Sequence, residues 1–222
     1  MKINDKTILE HFILRAKKIK GIDKIIFAIP DSKENNELSD YLEKFKIGVF
    51  RGSEYDVLKR YSDACKIYKS RSIMRITSDC PLFDIEVAER LISLFKINKL
   101  EYASNNLCLT WPHGLDVEIF SRVVLDKACA FSTNSYDREH VTPWIRDLHN
   151  LKKINLKCYL NLNLNIRLTL DYIEDFQFLK KLATMTNTSF SYLEISEIDK
   201  IINKNPSLLK INQMRQTRIN NV

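Results

Sequence analysis

Apolar positions along this chain switch repeatedly between a helical and an extended period. From Thr7 to Lys20 the residues Ile8, Leu9, Phe12, Ile13, Ala16 and Ile19 recur at helical spacing and predict an amphipathic helix. Residues 24–29 (KIIFAI) are almost continuously apolar and stop at Pro30, the pattern of a strand covered on both faces. Residues 37–45 read as helix and 47–50 as a short strand. Ser53, with Asp56 three positions on, resembles a capping box and predicts a helix to about Tyr68. A strand at 73–77, a helix at 85–97 opened by Asp84, and a strand at 101–104 follow. The second half is less regular. Residues 115–120 alternate, suggesting a strand with one wet face; Ser121 starts a helix to about 130; 136–140 is helical, and Pro143 sits in a turn or an early helical position. Residues 154–159 and 166–170 read as strands, and 174–184 as helix.

Strands alternating with helices imply βαβ units, a doubly wound and mostly parallel sheet, and right-handed crossovers. We expect a single domain over residues 1–222, with 191–222 as a helical C-terminal extension. Ligands of such sheets bind beyond the carboxyl ends of the strands.

Composition narrows the classes. No apolar run approaches 18 residues and no leader pattern opens the chain, which points to a soluble, cytoplasmic protein without a membrane partner. Five cysteines at spacings of 15, 28, 21 and 29 contain no C-x-x-C pair, so neither a zinc knuckle nor a redox dithiol is suggested. The net charge of +7 is spread along the chain without a basic stripe interleaved with aromatics, which argues against nucleic acid as partner.

Two segments repeat one device. The apolar run 73–77 leads to Asp79, and the apolar run 166–170 leads to Asp171, each followed by a helix. Two carboxylates at strand ends can share one hard cation, and few protein ligands with water and phosphate oxygens suit magnesium. Aspartates before helices are also favoured N-caps, but Asp84 and Glu174 stand available for that role. Cys80 and Pro81 supply a small buried side chain and a fixed turn that aim Asp79. In His113-Gly114-Leu115-Asp116 the glycine permits close backbone approach, and Asp116 either touches a ligand hydroxyl or is a solvated strand residue. Arg138, within Asp137-Arg138-Glu139-His140, is placed to bind an anionic substrate, or the cluster is a charged helix start held by local ion pairs. His140 is the weakest candidate, as a general base.

Six segments in order carry a resemblance: RGSEYDVLKRY (51–61), RITSDCPLFD (75–84), YASN (102–105), PHGLDVEIF (112–120), YDREHVTPWI (136–145) and LTLDYIEDF (168–176). Together they resemble the spore-coat polysaccharide biosynthesis branch of the cytidylyltransferases, relatives of the CMP-Kdo and CMP-acylneuraminate synthetases. The resemblance runs nearly the whole chain, to Asn212-Gln-Met-Arg-Gln216. It implies a nucleotide-diphospho-sugar transferase fold and magnesium-dependent transfer of CMP from CTP to a sugar acid, usually by a homodimer. It also implies that Asp79 and Asp171 are the metal carboxylates and that Arg51, Gly52 and Ser53 lie near the nucleotide, with Arg75 among the substrate-binding residues. The alternative is a non-catalytic homologue that binds a sugar nucleotide or an intact subunit.

The chain departs from that family in one respect. Relatives open with a central strand and a loop resembling Gln-Ala-Arg-x-x-Ser-x-Arg-Leu-Pro-Gly-Lys, whose amides hold the triphosphate. Here Met1 matches the segment after that loop, and the four glycines, at 21, 48, 52 and 114, build no substitute. The sheet is therefore expected to lack its first strand. Buried edge groups then stay unpaired at about 1–3 kcal/mol each, against a total stability of roughly 5–15 kcal/mol. Poor triphosphate binding by residues 1–222 is expected for the same reason.

Overall fold

The computed structural model describes residues 1–216. A tight hairpin, β1 (Lys2–Ile3) and β2 (Lys6–Thr7), leads into α1 (Ile8–Ala16). Thr7 and Glu10 close a capping box at its start. Then follow β3 (Ile26–Pro30), α2 (Asn36–Glu43), β4 (Gly48–Gly52), α3 (Val57–Ile67), β5 (Ser72–Arg75), α4 (Ile85–Ile97) and β6 (Tyr102–Ser104). The remainder is β7 (Glu118–Ser121), α5 (Arg122–Phe131), α6 (Ser135–His140), α7 (Pro143–Asp147), β8 (Lys153–Asn155), α8 (Ile173–Ala183) and α9 (Ile195–Lys204).

The architecture is the expected α/β one, a mostly parallel sheet with β7 reversed. It is divided into two pieces: β3 pairs with β4 in parallel, and a four-stranded piece has the order β5-β7-β6-β8. Within the latter, β7 is antiparallel to both β5 and β6, whereas β6 and β8 are parallel.

Helices cover the sheet because their apolar stripes face it. The main core joins Phe12 of α1, Val87, Leu91 and Phe95 of α4, and Phe178 and Leu182 of α8. Phe190, Ile198, Ile202 and Leu208 belong to the same core, so the C-terminal segment packs into the domain. Residues 217–222, the last of the expected extension, lie outside the described residues. Arg15 is 1% exposed on the inner face of α1, donating to the carbonyls of Phe83 and Ser191. Burial pushes its guanidinium down to about 10, against the pull of Asp84 and Glu194.

Several expectations are corrected in detail. The cap of α3 is Asp56, whose Oδ1 accepts from the Lys59 amide at 2.9 Å; Ser53 acts one turn earlier, accepting from the Asp56 amide. The strand at 115–120 shrinks to β7, and it has no wet face: Glu118 is 2% exposed. Of 154–159, only the start is ladder, as β8. Residues 166–170 form no strand ladder, only a parallel bridge between His113 and Arg167, because the segments their amides bond, at His113 and Asp79, are loops. No helix among the described residues is long and apolar enough to cross a membrane.

Candidate functional site

Three loops meet beyond the carboxyl end of β5. The chain leaves β5 at Arg75 and turns through Thr77–Phe83, with the Cys80 amide donating to Thr77 O and the Phe83 amide to Cys80 O. Segment 166–170 then lies between two partners: the Leu168 amide donates to His113 O, and the Leu170 amide to Asp79 O, both at 2.7 Å. Gly114 has φ +98°, and a Cβ there would collide with the backbone of Leu168 and Thr169. Only glycine permits this contact. Asp79, Asp116 and Asp171 are thereby brought to one edge of the sheet by three distant segments. Burial, reinforced by the charges of Asp79 and Asp116, pushes the Cys80 thiol well up, which makes it a packing residue and not a nucleophile.

The cap explanation for the two aspartates fails on geometry. Asp84 Oδ1 accepts from the Val87 amide at 3.1 Å and caps α4. At α8 the amides of Asp171 and Tyr172 donate to Asp175, so Asp175 does the work expected of Glu174. Asp79 Oδ1 is buried with no hydrogen-bond partner. A buried carboxylate oxygen left unpartnered is costly and calls for a cation or donor. Asp171 Oδ2 accepts from Arg167 at 2.7 Å and from Thr169 Oγ1 at 3.3 Å. Among the described residues no three His, Cys, Asp or Glu groups converge as metal ligands. Carboxylate oxygens are the donors that a hard cation such as magnesium takes, so Asp79 and Asp171 are the residues that could hold one here.

Behind Asp171 stands a network absent from the sequence reading. Arg167, 2% exposed, forks onto Asp175 with Nε–Oδ1 of 2.9 Å and Nη2–Oδ2 of 3.0 Å, while Nη2 also holds Asp171. Its Nη1 lies 3.1 Å from His113 Nδ1. Asn212 Nδ2 donates to Asp175 Oδ1 at 3.0 Å and to Arg167 O at 3.1 Å, tying the C-terminal segment to the site. Burial raises the Asp175 carboxyl, but the Arg167, Asn212 and backbone bonds outweigh it and leave it below its ordinary value. A depressed carboxyl stabilises the fold above its unfolded value, near 3.9, and that share is lost as pH falls through the folded value. Melting temperature should therefore drop as pH falls below about 4. In Asp175→Asn, less stable at neutral pH, that acid limb should be flatter; an equally steep limb in calorimetric scans would remove Asp175 from the explanation.

The other expected site residues fall at the neighbouring strand end and on α6. Arg51 is committed to the turn after β3: Nε to Asp31 Oδ1 (3.0 Å), Nη1 to Asn36 Oδ1 (2.8 Å), Nη2 to Ser32 O (2.6 Å). Gly52 closes β4 against Arg60, and Ser53 is exposed beyond it. Arg138 reaches across to Asp56 at 3.4 Å, so α6 brings it beside the Ser53 turn. His140 is exposed and packs on Tyr136 with ring centroids 4.4 Å apart. Arg75 donates to Glu118 Oε2 at 2.7 Å, and Glu118 Oε1 accepts from Tyr102 at 2.6 Å. Glu118, Arg167 and Asp175 were missed. A charge inside an apolar run, as in Ile166-Arg-Leu-Thr-Leu170, was the available signal, since such a group must be paired.

The family model described as cytidylyltransferase matches residues 1–219. The chain belongs to that family. This cytidylyltransferase-family protein is 37% identical over 216 residues to an uncharacterized protein of Methanocaldococcus jannaschii, covering 96% of this chain and 86% of the other. It is 27% identical over 190 residues to the spore coat polysaccharide biosynthesis protein SpsF of Bacillus subtilis, covering 84% and 78%. Its fold matches a cytidylyltransferase from Leptospira borgpetersenii with TM-score 0.88 at 28% identity, covering 99% of this chain and 90% of that one. A CMP-2-keto-3-deoxy-manno-octonic acid synthetase shares the fold at TM-score 0.60 and 9% identity over 83% of this chain and 90% of that one.

Proposed function

We propose that the protein transfers CMP from CTP to the anomeric hydroxyl of a sugar acid, releasing pyrophosphate, in the synthesis of a surface polysaccharide. The observation that carries this reading is the bond from the Leu170 amide to Asp79 O, which sets Asp171 beside Asp79. A magnesium ion on that pair would neutralise phosphate charge and orient the triphosphate. Arg167 fixes the Asp171 carboxylate, and Gly114 lets the loop before Asp116 lie against the backbone of Leu168 and Thr169. The hydroxyl oxygen bonds to the α-phosphorus and gives up its proton to solvent, as the bond from that phosphorus to the oxygen bridging to the β-phosphate breaks and pyrophosphate leaves. Arg138, near the Ser53 turn, supplies positive charge for the sugar carboxylate. Family membership and the SpsF relative support the cytidine nucleotide and the polysaccharide setting. A homodimer is part of the same reading.

Thermal-shift titration with CTP, other nucleoside triphosphates and CMP-sugars, each with and without magnesium, tests it, because ligands raise apparent stability by mass action. Residues 1–222 are expected to give a weak shift with CTP that nonetheless depends on magnesium and exceeds the shift with other nucleoside triphosphates, and to release pyrophosphate on adding a sugar acid. A shift with a CMP-sugar alone, without turnover in any acceptor, would favour the non-catalytic homologue. For Arg138→Ala we expect the sugar KM to rise about tenfold, an interaction of about 1.4 kcal/mol, with the CTP KM nearly unchanged. A change in melting temperature alone would return Arg138 to its contact with Asp56.

A further inference from the structure

The amino edge of the sheet, opposite the aspartates, carries a surface of its own. Helices α2, α3 and α4 each return from the carboxyl edge to the amino edge, so three turns there, 44–47, 68–71 and 98–101, lead into β4, β5 and β6. In every one a lysine adopts left-handed backbone: Lys46 (φ 55°), Lys69 (φ 51°) and Lys99 (φ 48°). Glycine takes this conformation without strain, and the α1–β3 turn uses it, at Gly21 with φ +85°. A longer side chain held there costs stability, and strain of this kind is characteristic of positions kept for function.

Taken in chain order the basic residues form no stripe; the fold gathers them. Lys24, Lys69, Arg71, Lys96 and Lys99 line one opening at this edge, and Lys17, Lys24 and Lys46 line the opening beside it. The acids among them are outnumbered. Asp23 and Glu43 are exposed, Glu89 accepts from the Lys20 amide at 2.9 Å, and Glu101 accepts from the Lys152 amide at 3.2 Å. Lys66 is neutralised by Asp63 at 3.1 Å.

Apolar tips stand between these charges. Ile67 ends α3 and Ile97 ends α4; they are 68% and 79% exposed, and each follows a lysine, Lys66 and Lys96. Val123, 61% exposed, joins them, because the Arg122 amide donates to Arg71 O at 2.8 Å and brings the start of α5 to the same edge. One exposed aliphatic residue needs no explanation; the same placement at two successive helix ends, among lysines, does. Lysines attract a negatively charged bilayer, aliphatic tips enter its interfacial layer, and lysine stems lie along apolar groups with their ammonium ends outward. Nucleic acid is the poorer fit, since aliphatic tips offer bases nothing to stack on. Docking of this kind needs no spanning helix.

We propose that the amino edge docks the protein on the anionic surface of a lipid bilayer, with Lys46, Lys69 and Lys99 as cationic contacts and Ile67 and Ile97 inserted. The carboxyl edge, with Asp79 and Asp171, then faces away from the lipid and stays open to solutes. The inference stands apart from the nucleotide-transfer reading, and its test uses no nucleotide.

Flotation with vesicles of phosphatidylcholine alone, and of phosphatidylcholine with about one-third phosphatidylglycerol, tests it at an ionic strength of about 0.15 M. Binding to the anionic vesicles only is expected. The triple variant Lys46→Gly, Lys69→Gly, Lys99→Gly removes three charges and gives each turn the residue that suits its backbone, so its melting temperature should hold or rise. Its vesicle affinity should fall about a hundredfold, a factor of about five per lysine. Ile67→Asn with Ile97→Asn should weaken binding roughly tenfold. Equal binding to neutral vesicles, binding only far below that ionic strength, or undiminished binding by either variant would overturn the proposal. Two other occupants would overturn it as well: duplex DNA, if bound more tightly than the vesicles and equally by the isoleucine variant, or a second copy, if sedimentation shows a dimer that the isoleucine variant splits.

Discussion

Asp79→Asn should lower cytidylyl transfer by at least about a hundredfold while leaving the fold intact. The amide keeps the size of the carboxylate but removes the charge that a cation needs, and metal stabilisation of developing phosphate charge is worth several kcal/mol, with about 1.4 kcal/mol per factor of ten. Stability should move little or even rise, because the substitution removes the charge from a group whose buried Oδ1 has no partner. The assay is pyrophosphate release at limiting magnesium, run beside a melting curve of the same protein. Equal turnover in the variant and its parent would sink the metal assignment. A variant that loses activity only by melting would instead make Asp79 structural, anchored through the bond from Leu170 to its carbonyl.

Arg167→Met should be the most damaging single change to stability. It leaves Asp175, which is 0% exposed, with its charge and without the guanidinium that offsets burial. Breaking one partner from a buried pair costs about 3–5 kcal/mol, which for a chain of this size lowers Tm by roughly 6–20 °C. The double variant Arg167→Met with Asp175→Leu should recover much of that loss, since replacing a whole buried pair with apolar groups is often neutral. A double-mutant cycle by urea unfolding measures the coupling. Loss of about 1 kcal/mol or less in the single variant would show that Asn212 and the amides of Asp171 and Tyr172 hold Asp175 without Arg167.

These two residues differ in how far the sequence discloses them. The turn that carries Asp79 was legible because the apolar run, the Asp-Cys-Pro break and the Asp84 cap all lie within a dozen residues, and local geometry decides each. The helix after Asp171 was legible by the same pattern, although the run before it, 166–170, forms no ladder. Arg75 shows the limit. Its pairing with Glu118 joins residues 43 apart, on strands that touch only because β7 is inserted in reverse between β5 and β6. Alternation at 115–120 states that two faces differ, not that both are buried, so the buried Glu118 read as a wet face.

By itself the sequence determined the elements whose signals are local: the stripe of α1, the Asp84 cap of α4, the apolar runs of β3 and β5, and the family. Helix faces and caps depend on neighbours within a turn, so period and residue type suffice for them. Only the tertiary structure decided which charges meet, that Gly114 must lie against Leu168, and that Arg51 is spent on the Asp31 turn. Those outcomes depend on loops that bring distant segments within hydrogen-bond reach, which no local period encodes. The tertiary structure also decided that the sheet stands in two pieces, β3 with β4 and β5 with β7, β6 and β8, because strand pairing joins residues far apart in the chain, which no local period states.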